Sequence, residues 1–239
     1  MDVAIDGPQN LTLVSCEPCG PRSHPKKEAK MKVVIFGASR GVGRQLVERA
    51  LLNGHDVTAA VRTVEPMHDA DGRLRVAQCD VLDAERVSQT VVGQDAVLCA
   101  IGTNARGPVT LYSTAARNIV QGMQAHGVRR LVFLSNFGVL DETADDLRGR
   151  ALLFLIKRVL RHTLADHRRA LDEIRRFAPE WIAVRALPLT NGPWTGRLRT
   201  ALEGLPAGGT RIARADVADF MVRQVESDDY LRKAPAIAY

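Results

Sequence analysis

Three glycines carry the first chemical signal in the chain. Gly37, Gly41 and Gly43 follow an apolar run at residues 33–36 and open a stretch with helical periodicity. A backbone without side chains can approach a pyrophosphate closely, and the free N–H groups at the start of the following helix attract phosphate charge. The spacing therefore predicts a dinucleotide site. The alternative is a tight strand-to-helix turn without a ligand.

Two arginines near this turn bear on which dinucleotide is bound. A second strand is predicted over residues 55–61, and proteins that prefer NAD hold the ribose 2′-hydroxyl with a carboxylate near the end of that strand. Here Arg62 stands at that end, and Arg40 lies in the glycine turn. Planar guanidinium groups match phosphate oxygens, so we predict NADP(H) in preference to NAD(H). Either arginine could instead be a solvated surface residue.

The elements that must position these residues alternate between strands and helices. Further strands are predicted over residues 74–77, 95–100, 128–134, 181–185 and 211–213, with helices over 83–92, 110–126, 147–177 (with a break near 163–166) and 216–225. This alternation predicts an α/β fold, a Rossmann-type doubly wound parallel sheet with helices on both faces. Ligands of such sheets bind beyond the carboxyl ends of the strands, so we expect the site in the segments that follow them.

Length and composition indicate one folded domain. The chain has 239 residues, 46% of them hydrophobic, and a net charge of +6. Residues 1–30 contain several prolines and glycines, and we interpret them as a disordered extension or a misassigned start, ahead of a single NAD(P)-binding domain over residues 31–239. The modest basicity suits an anionic cofactor. Because no basic stripe with interleaved aromatic residues is present, we expect no nucleic acid partner.

Membrane and metal signals are weak in this sequence. No apolar run approaches the length of a membrane span, and no secretory signal is visible. We therefore predict a cytoplasmic protein without membrane contact that acts on a small molecule as a monomer or homodimer. Cys16 and Cys19 form one CxxC pair, which is half of a zinc site, so no metal is predicted.

Several strand-end segments match a known family. In chain order they lie at residues 35–39, 61–62, 80–82, 93–97, 116–120, 125–128, 166–167, 193–196 and 219–221. In order and spacing they resemble the atypical short-chain dehydrogenase/reductases with an NAD(P)H-binding domain, and among these the biliverdin reductase B or flavin reductase group. The resemblance covers about residues 31–239.

The resemblance implies which residues bind the cofactor. The glycine turn would hold the pyrophosphate, the end of the second strand the 2′-phosphate, the end of the third strand the adenine, and the end of the fourth the nicotinamide ribose. These residues are Gly37, Ser39, Arg40, Gly41, Val42 and Gly43, then Arg62, then Asp80 and Val81, and then Ala100, Ile101 and Gly102. Ser135 falls where the superfamily's serine lies beside the nicotinamide, and it is the predicted catalytic residue.

Proton transfer is where the chain departs from the better-known members of the superfamily. Those members use a Tyr-x-x-x-Lys pair, whereas Tyr112, Tyr230 and Tyr239 have no lysine four residues on. The biliverdin and flavin reductase group also lacks the pair. We therefore expect hydride transfer driven mainly by positioning, to a planar conjugated acceptor such as a flavin, a quinone or a tetrapyrrole. Two alternatives stay open: an NmrA-like regulator that senses NADP(H) without turnover, and a biosynthetic tailoring reductase or epimerase.

Candidate substrate contacts are polar and aromatic residues in the later strand-end segments. They are Asn136, Phe137, His167, Arg185 and Trp194. Ser135 could hydrogen-bond the carboxamide or the substrate, or it could satisfy the local backbone. His167 could donate a proton, or Asp166 could cap a helix with His167 in its first turn.

Two further regions have more than one interpretation. Arg185 could pair with a substrate carboxylate, or it could anchor the following loop through a salt bridge. Residues 147–164 could form a substrate lid, a dimer contact or a buried core helix. Their closely spaced apolar residues favour the core helix.

Overall fold

The computed structural model describes residues 30–67, 71–105, 107–140 and 147–239. The predictions for the Cys16 and Cys19 pair, and for residues 1–30 apart from the last, lie outside these residues. The strands are β1 (Lys32–Phe36), β2 (Asp56–Val61), β3 (Leu74–Gln78), β4 (Ala96–Cys99), β5 (Arg130–Asn136), β6 (Glu180–Ala186), β7 (Leu189–Thr190), β8 (Arg199–Ala201), β9 (Ile212–Ala213) and β10 (Ala236–Ala238). The helices are α1 (Gly41–Leu52), α2 (Ala84–Val91), α3 (Leu111–Ala125), α4 (Leu147–Val159), α5 (Arg161–Phe177) and α6 (Arg214–Arg223).

One large sheet organises these elements. It has eight strands in the order β3-β2-β1-β4-β5-β6-β10-β8, and all neighbours are parallel except β10 and β8. The predicted α/β, doubly wound parallel sheet is therefore confirmed. The direction in which the chain builds the sheet reverses between β1 and β4, which opens a crevice at the carboxyl ends of these two strands.

Helices cover both faces of the sheet because successive strand residues point to opposite sides. In β1, Val33 and Ile35 pack with the buried side chains of α1 and α6. Val34 and Phe36 pack on the other face with those of α2, α3 and α5. The strand is buried on both faces, as an apolar run in a parallel sheet predicts.

The structure differs from the predicted elements at three points. The strand predicted over residues 211–213 forms as β9, but it pairs with β7 in a separate two-stranded sheet. The central sheet is extended instead by β10, which the sequence did not predict because a three-residue apolar run is too short to signal a strand. The break between α4 and α5 falls at Leu160, earlier than the predicted 163–166.

The helix α4 presents apolar side chains to solvent. Leu147 is 81% exposed, Phe154 72%, and Leu155 and Val159 are also exposed. Among the described side chains of this helix, Leu153 alone is buried. The prediction of a buried core helix is therefore wrong for α4. Neither α4 nor any other helix among the described residues combines the length and apolarity needed to cross a membrane.

Candidate cofactor cleft and active site

A cleft of about 1040 Å³ follows the carboxyl ends of the central strands. Most of the predicted site residues line it together, although they are scattered over 130 positions of the sequence, from 37 to 167. They are Gly37, Ser39, Arg40, Gly41, Val42, Arg62, Asp80, Val81, Ala100, Ile101, Gly102, Ser135, Asn136 and His167. The cleft lies at the switch point of the sheet, where doubly wound folds bind their ligands.

A different physical constraint favours glycine at each of the three positions in the turn. At Gly37 a Cβ would lie 2.7 Å from the Ala100 carbonyl oxygen, and φ is +83°. At Gly43 a Cβ would lie 1.9 Å from the Gly37 carbonyl oxygen, so this glycine allows α1 to pack against the turn and does not itself line the cleft. Gly41 has room for a side chain, but its φ of +61° disfavours one. Close backbone contacts therefore require glycine at positions 37 and 43, and a positive φ favours it at positions 37 and 41.

The N-terminus of α1 is open to an anion. The helix begins at Gly41, and the preceding Arg40 has an extended backbone and gives no side-chain cap. The first turn also contains no acidic residue. The first N–H groups of a helix have no partner within the helix, and its dipole is positive at this end. The turn residues 39–42 line the cleft, so this end of α1 can bind a phosphate.

Three arginines surround the same end of the cleft. Arg40 and Arg62 line it as the sequence predicts, and within the described part of the chain neither guanidinium forms an ion pair. The third is Arg214 at the start of α6, which the sequence does not predict as a site residue. Its guanidinium donates to the Asn191 side-chain oxygen (2.7 Å), and its Nε lies 3.8 Å from the position of a Cβ built on Gly41. No local pattern distinguishes Arg214, because its position depends on the pairing of β7 with β9.

Acidic groups are scarce around these arginines. Among the described residues that line the cleft, Asp80 is the one carboxylate. Its Oδ1 already accepts a hydrogen bond from the Leu82 N–H at 3.0 Å. The end of β2, where a carboxylate would hold a free ribose 2′-hydroxyl, carries Arg62 instead. The electrostatic balance at this end therefore favours a ligand with several negative charges.

Buried, neutral side chains form the other end of the cleft. Ser135 and His167 are both buried, and the Ser135 hydroxyl lies 3.4 Å from His167 Nδ1. The imidazole stacks on the Tyr112 ring, with centroids 3.7 Å apart and an angle of 28° between the planes. The Tyr112 hydroxyl accepts a hydrogen bond from the Thr103 N–H at 3.3 Å. Tyr112 thus connects the segment after β4 to the Ser135 and His167 pair.

Burial determines the protonation of these groups. It lowers the pKa of His167 from 6.5 to about 3, and the nearby Asp166 carboxylate opposes this only in part. Burial also raises the pKa of the Tyr112 phenol. Near neutral pH both side chains are therefore uncharged, and His167 cannot act there as an imidazolium acid. A neutral imidazole can still accept a hydrogen bond from Ser135 or donate one to it.

Asp166 has a different role from the predicted cap of its own helix. It lies inside α5 and is fully buried. Its carboxylate accepts hydrogen bonds from the Tyr112 N–H (2.8 Å) and the Ser113 hydroxyl (2.5 Å), so it caps the N-terminus of α3. His167 consequently lies in the second turn of α5, not in the first. The Asp166 contacts hold α3 and α5 in register, which fixes His167 against Tyr112.

Three predicted substrate residues lie outside the cleft. Arg185 is fully buried, and it donates to the carbonyl oxygens of Ala234 and Leu202 at 2.7 Å each. These bonds join β6 to the segments beside β10 and β8, and because Arg185 does not line the cleft, it is not placed to pair with a substrate carboxylate there. Phe137 is buried in a small apolar cluster with α4. Trp194 is half exposed on another surface, beneath the Arg49 guanidinium at 4.7 Å.

The family follows from comparison with known proteins. A family model described as NAD(P)H-binding matches residues 37–228, which covers the glycine turn and every lining residue of the cleft except Phe36. The chain belongs to the NAD(P)H-binding family. This family is consistent with the sequence resemblance to the atypical short-chain dehydrogenase/reductases, and a nicotinamide dinucleotide is the ligand that fits the glycine turn and the open end of α1.

Curated relatives share most of the chain at low identity. The uncharacterized chloroplastic protein At2g34460 of Arabidopsis thaliana is 28% identical over 207 residues, which is 83% of this chain and 73% of the relative. The photosystem II assembly factor Ycf39 of Synechocystis is 23% identical over 212 residues, which is 85% of this chain but only 61% of Ycf39. These relatives therefore extend beyond the length that this chain covers.

Solved structures share the fold. The oxidoreductase YlbE of Lactococcus lactis superposes with a TM-score of 0.72 at 19% identity and covers 87% of this chain and 90% of its own. A Rossmann-fold NAD(P)-binding protein of Shigella flexneri gives 0.66 at 19%, with 87% and 92% covered. A protein of Streptococcus pneumoniae TIGR4, whose assignment as an NADH-flavin reductase is itself inferred, gives 0.68 at 21%, with 87% and 99% covered. At these identities the likeness concerns the fold.

Proposed function

We propose that this protein is an NADPH-dependent reductase that transfers hydride to a planar conjugated acceptor, such as a flavin, a quinone or a tetrapyrrole-like compound. The observation that carries the proposal is the single cleft that joins two different ends. One end presents arginines and the N-terminus of α1, and the other presents the buried Ser135 and His167 pair. A reduced dinucleotide needs such a division, because its phosphates are charged and its dihydronicotinamide ring is neutral.

The preference for NADPH rests on charge at the phosphate end. Arg62 replaces the carboxylate that would hold a free 2′-hydroxyl, and Arg40 lies in the turn beside it. A 2′-phosphate would gain charge-assisted hydrogen bonds from these two side chains, whereas NADH has no anionic group at the 2′ position to pair with Arg62. This difference supports discrimination between the two cofactors.

The neutral end supports an acceptor that needs no strong acid. Bound NADPH supplies the hydride, and the chain's own residues orient the ring and the acceptor. Ser135 can hydrogen-bond the carboxamide or the acceptor, and His167 holds the Ser135 hydroxyl in place. Conjugated acceptors such as flavins take the hydride at one atom and a proton from solvent at another. Such an acceptor therefore does not require the Tyr-x-x-x-Lys relay that this chain lacks.

The test is a turnover screen with the full chain. NADPH oxidation is measured with flavin mononucleotide, a set of quinones and biliverdin, with NADH as the matched cofactor control. We expect turnover with at least one acceptor, and faster turnover with NADPH than with NADH at equal concentration. A Ser135→Ala variant should bind NADPH like the parent chain but turn over at least about tenfold more slowly.

An NmrA-like sensor of NADP(H) is the second candidate. Two observations favour it: the described His167, which lies beside Ser135, is neutral, and no Tyr-x-x-x-Lys pair exists in the sequence. Tight NADPH binding without turnover on any acceptor would support the sensor and contradict the reductase. Weak binding of both cofactors would contradict both candidates.

A further inference from the structure

The carboxylate of Asp216 is fully buried in the first turn of α6. Within the described part of the chain it forms no ion pair, and all of its hydrogen bonds come from outside α6. It accepts from the Gly196 N–H at 2.8 Å, from the Thr195 N–H and hydroxyl at 3.1 Å each, and from the Tyr239 hydroxyl at 2.5 Å. A buried charge needs such donors, so these segments are held firmly against α6.

Tyr239 extends this network to the start of α6. Its hydroxyl donates to Asp216 and also accepts a hydrogen bond from the Ala213 N–H at 3.0 Å. Burial, and then the hydrogen bond to Asp216, raises the pKa of Tyr239, so the phenol keeps its proton near neutral pH. Ala213 directly precedes Arg214 and pairs with Thr190 between β9 and β7. Hydrogen bonds on both sides of Ala213 therefore fix the place where α6 begins.

The loop over residues 191–196 is held against α6 at both of its ends. At the far end Thr195 and Gly196 bind Asp216, and at the near end the Asn191 side-chain oxygen accepts a hydrogen bond from the Arg214 guanidinium at 2.7 Å. Arg214 is thus bound to a loop that Asp216 anchors. No residue of the segment 193–196 lines the cleft, although this segment matches the family pattern in the sequence.

The anchored loop determines where the Arg214 guanidinium lies. Its Nε is 3.8 Å from the position of a Cβ built on Gly41, at the N-terminus of α1. A long cationic side chain that is held in place before its ligand arrives loses less conformational freedom when it binds an anion. The hydrogen bond to Asn191 provides this restraint only while the loop itself stays in position.

We propose that Asp216 is a positioning residue for cofactor binding. Through the loop 191–196 and through Tyr239, it holds Arg214 where the guanidinium can contact the pyrophosphate of the dinucleotide. The segment 193–196 then serves the cofactor site without touching it. The inference rests on the dinucleotide binding in the proposed function, and it depends neither on turnover nor on the choice between NADPH and NADH.

Asp216→Asn tests the proposal in the full chain. Each oxygen of the carboxylate accepts N–H or O–H donors, so the amide nitrogen would face donors in either orientation and the loop should be released. We expect the dissociation constants of NADPH and NADH to rise alike, by about threefold in fluorescence titration. Asp219→Asn is the matched control on the same helix, because Asp219 pairs with Arg49 and Arg223, and it should change neither constant.

A double variant separates positioning from a general loss of stability. If Asp216 acts through Arg214, the variant with both Asp216→Asn and Arg214→Ala should bind each cofactor like Arg214→Ala alone. A further weakening of about threefold in the double variant would overturn the proposal. If Asp216→Asn does not fold by circular dichroism, Tyr239→Phe replaces it. This variant keeps the ring but loses both hydrogen bonds of the hydroxyl, and the same comparison with Arg214→Ala applies.

Trp194 reports the state of the loop directly. The chain has two tryptophans, so the signal of Trp194 is the difference between a protein and its Trp194→Phe variant. Acrylamide should quench Trp194 more strongly in Asp216→Asn than in the parent, because the ring would leave its place beneath the Arg49 guanidinium. Stronger quenching with unchanged cofactor affinity would overturn the proposal, and so would no change in either measurement. Weakened binding of both cofactors in a protein that reduces no acceptor would support it while contradicting the proposed reductase.

Discussion

The two ends of the cleft are built in opposite ways. The phosphate end is formed largely by backbone groups and arginines at its edge, with glycines that let the chain approach a ligand. The Ser135 end is formed by buried side chains that satisfy one another and carry no charge near neutral pH. The phosphate end can hold a charged ligand with few contacts, whereas the Ser135 end is suited to orienting a neutral group.

This difference predicts where each kind of mutation should act. Changes at the phosphate end should alter the affinity and choice of cofactor, because the interactions there form in the ground state as well as in the transition state. Changes at the Ser135 end should alter turnover or stability, because its groups are buried and mutually hydrogen-bonded. The following experiments separate the two ends, in order of decreasing effect.

Gly43→Ala should have the largest effect. A Cβ at this position would lie 1.9 Å from the Gly37 carbonyl oxygen, so either α1 or the glycine turn must move. We expect the free energy of unfolding to fall by about 3 kcal/mol and NADPH binding to be lost. Urea denaturation and calorimetric titration measure the two quantities. Gly107→Ala is the control, since nothing lies within 4 Å of its Cβ position. Normal NADPH affinity in Gly43→Ala would contradict the proposed packing.

Arg62→Ala should separate the two cofactors. Loss of charge-assisted hydrogen bonds to a 2′-phosphate should raise the dissociation constant of NADPH by about ten- to a hundredfold, whereas that of NADH should change by less than about threefold. Both constants can be measured by fluorescence titration. Arg75→Ala, an exposed arginine on the adjacent β3, is the control and should change neither. Equal weakening of the binding of both cofactors would instead indicate that Arg62 contacts the pyrophosphate, which the two cofactors share.

His167 should make the protein sensitive to acid. Its pKa is about 3 in the folded protein against 6.5 ordinarily, so between these values the unfolded chain binds a proton that the folded chain does not. The free energy of unfolding should therefore fall with decreasing pH, by about 1.4 kcal/mol per unit in the middle of that window. Urea denaturation over this range compares the parent with His167→Gln, which should lose this component. His126→Gln, at an exposed histidine, is the control.

A parallel slope in the parent and in His167→Gln would contradict a buried neutral imidazole. The cofactor affinity of His167→Gln near neutral pH adds a second measurement. It should stay close to that of the parent, because His167 lies at the end of the cleft that orients and does not hold the phosphates.

The same contrast explains how much the sequence could predict. The phosphate end comes from a continuous stretch of chain, in which the glycine spacing, the strand before it and the helix after it are local signals. Arg62 is predictable because it immediately follows β2. The alternation of strands and helices likewise predicts the sheet, and Asp83 predicts the start of α2, where its carboxylate accepts the N–H groups of Glu85 and Arg86.

The Ser135 end is assembled from distant segments, and for that reason sequence reasoning describes it poorly. Asp166 looks like the cap of its own helix, yet it caps α3, which begins 55 positions earlier. Arg185 looks available at a strand end, but the unpredicted β10 lies against β6 and buries it. The exposure of α4 also could not be predicted, since apolar residues in a helix usually face a core.

Arg214→Ala should give the smallest effect, and it tests whether the arginines of the phosphate end contact different phosphates of the cofactor. Arg214 lies beside Gly41, at the N-terminus of α1, and not at the end of β2. We therefore expect it to contact the pyrophosphate, which both cofactors share, and its loss should weaken NADPH and NADH alike by about fivefold. The effect is smaller than that of Arg62→Ala because the Arg214 guanidinium is partly engaged by Asn191.

Asn191→Ala is the matched control and should weaken the binding of both cofactors less than Arg214→Ala does. If Arg214→Ala weakens the binding of NADPH alone, the 2′-phosphate lies nearer α6 than β2. In that case Arg214 contacts the 2′-phosphate and Arg62 contacts the pyrophosphate.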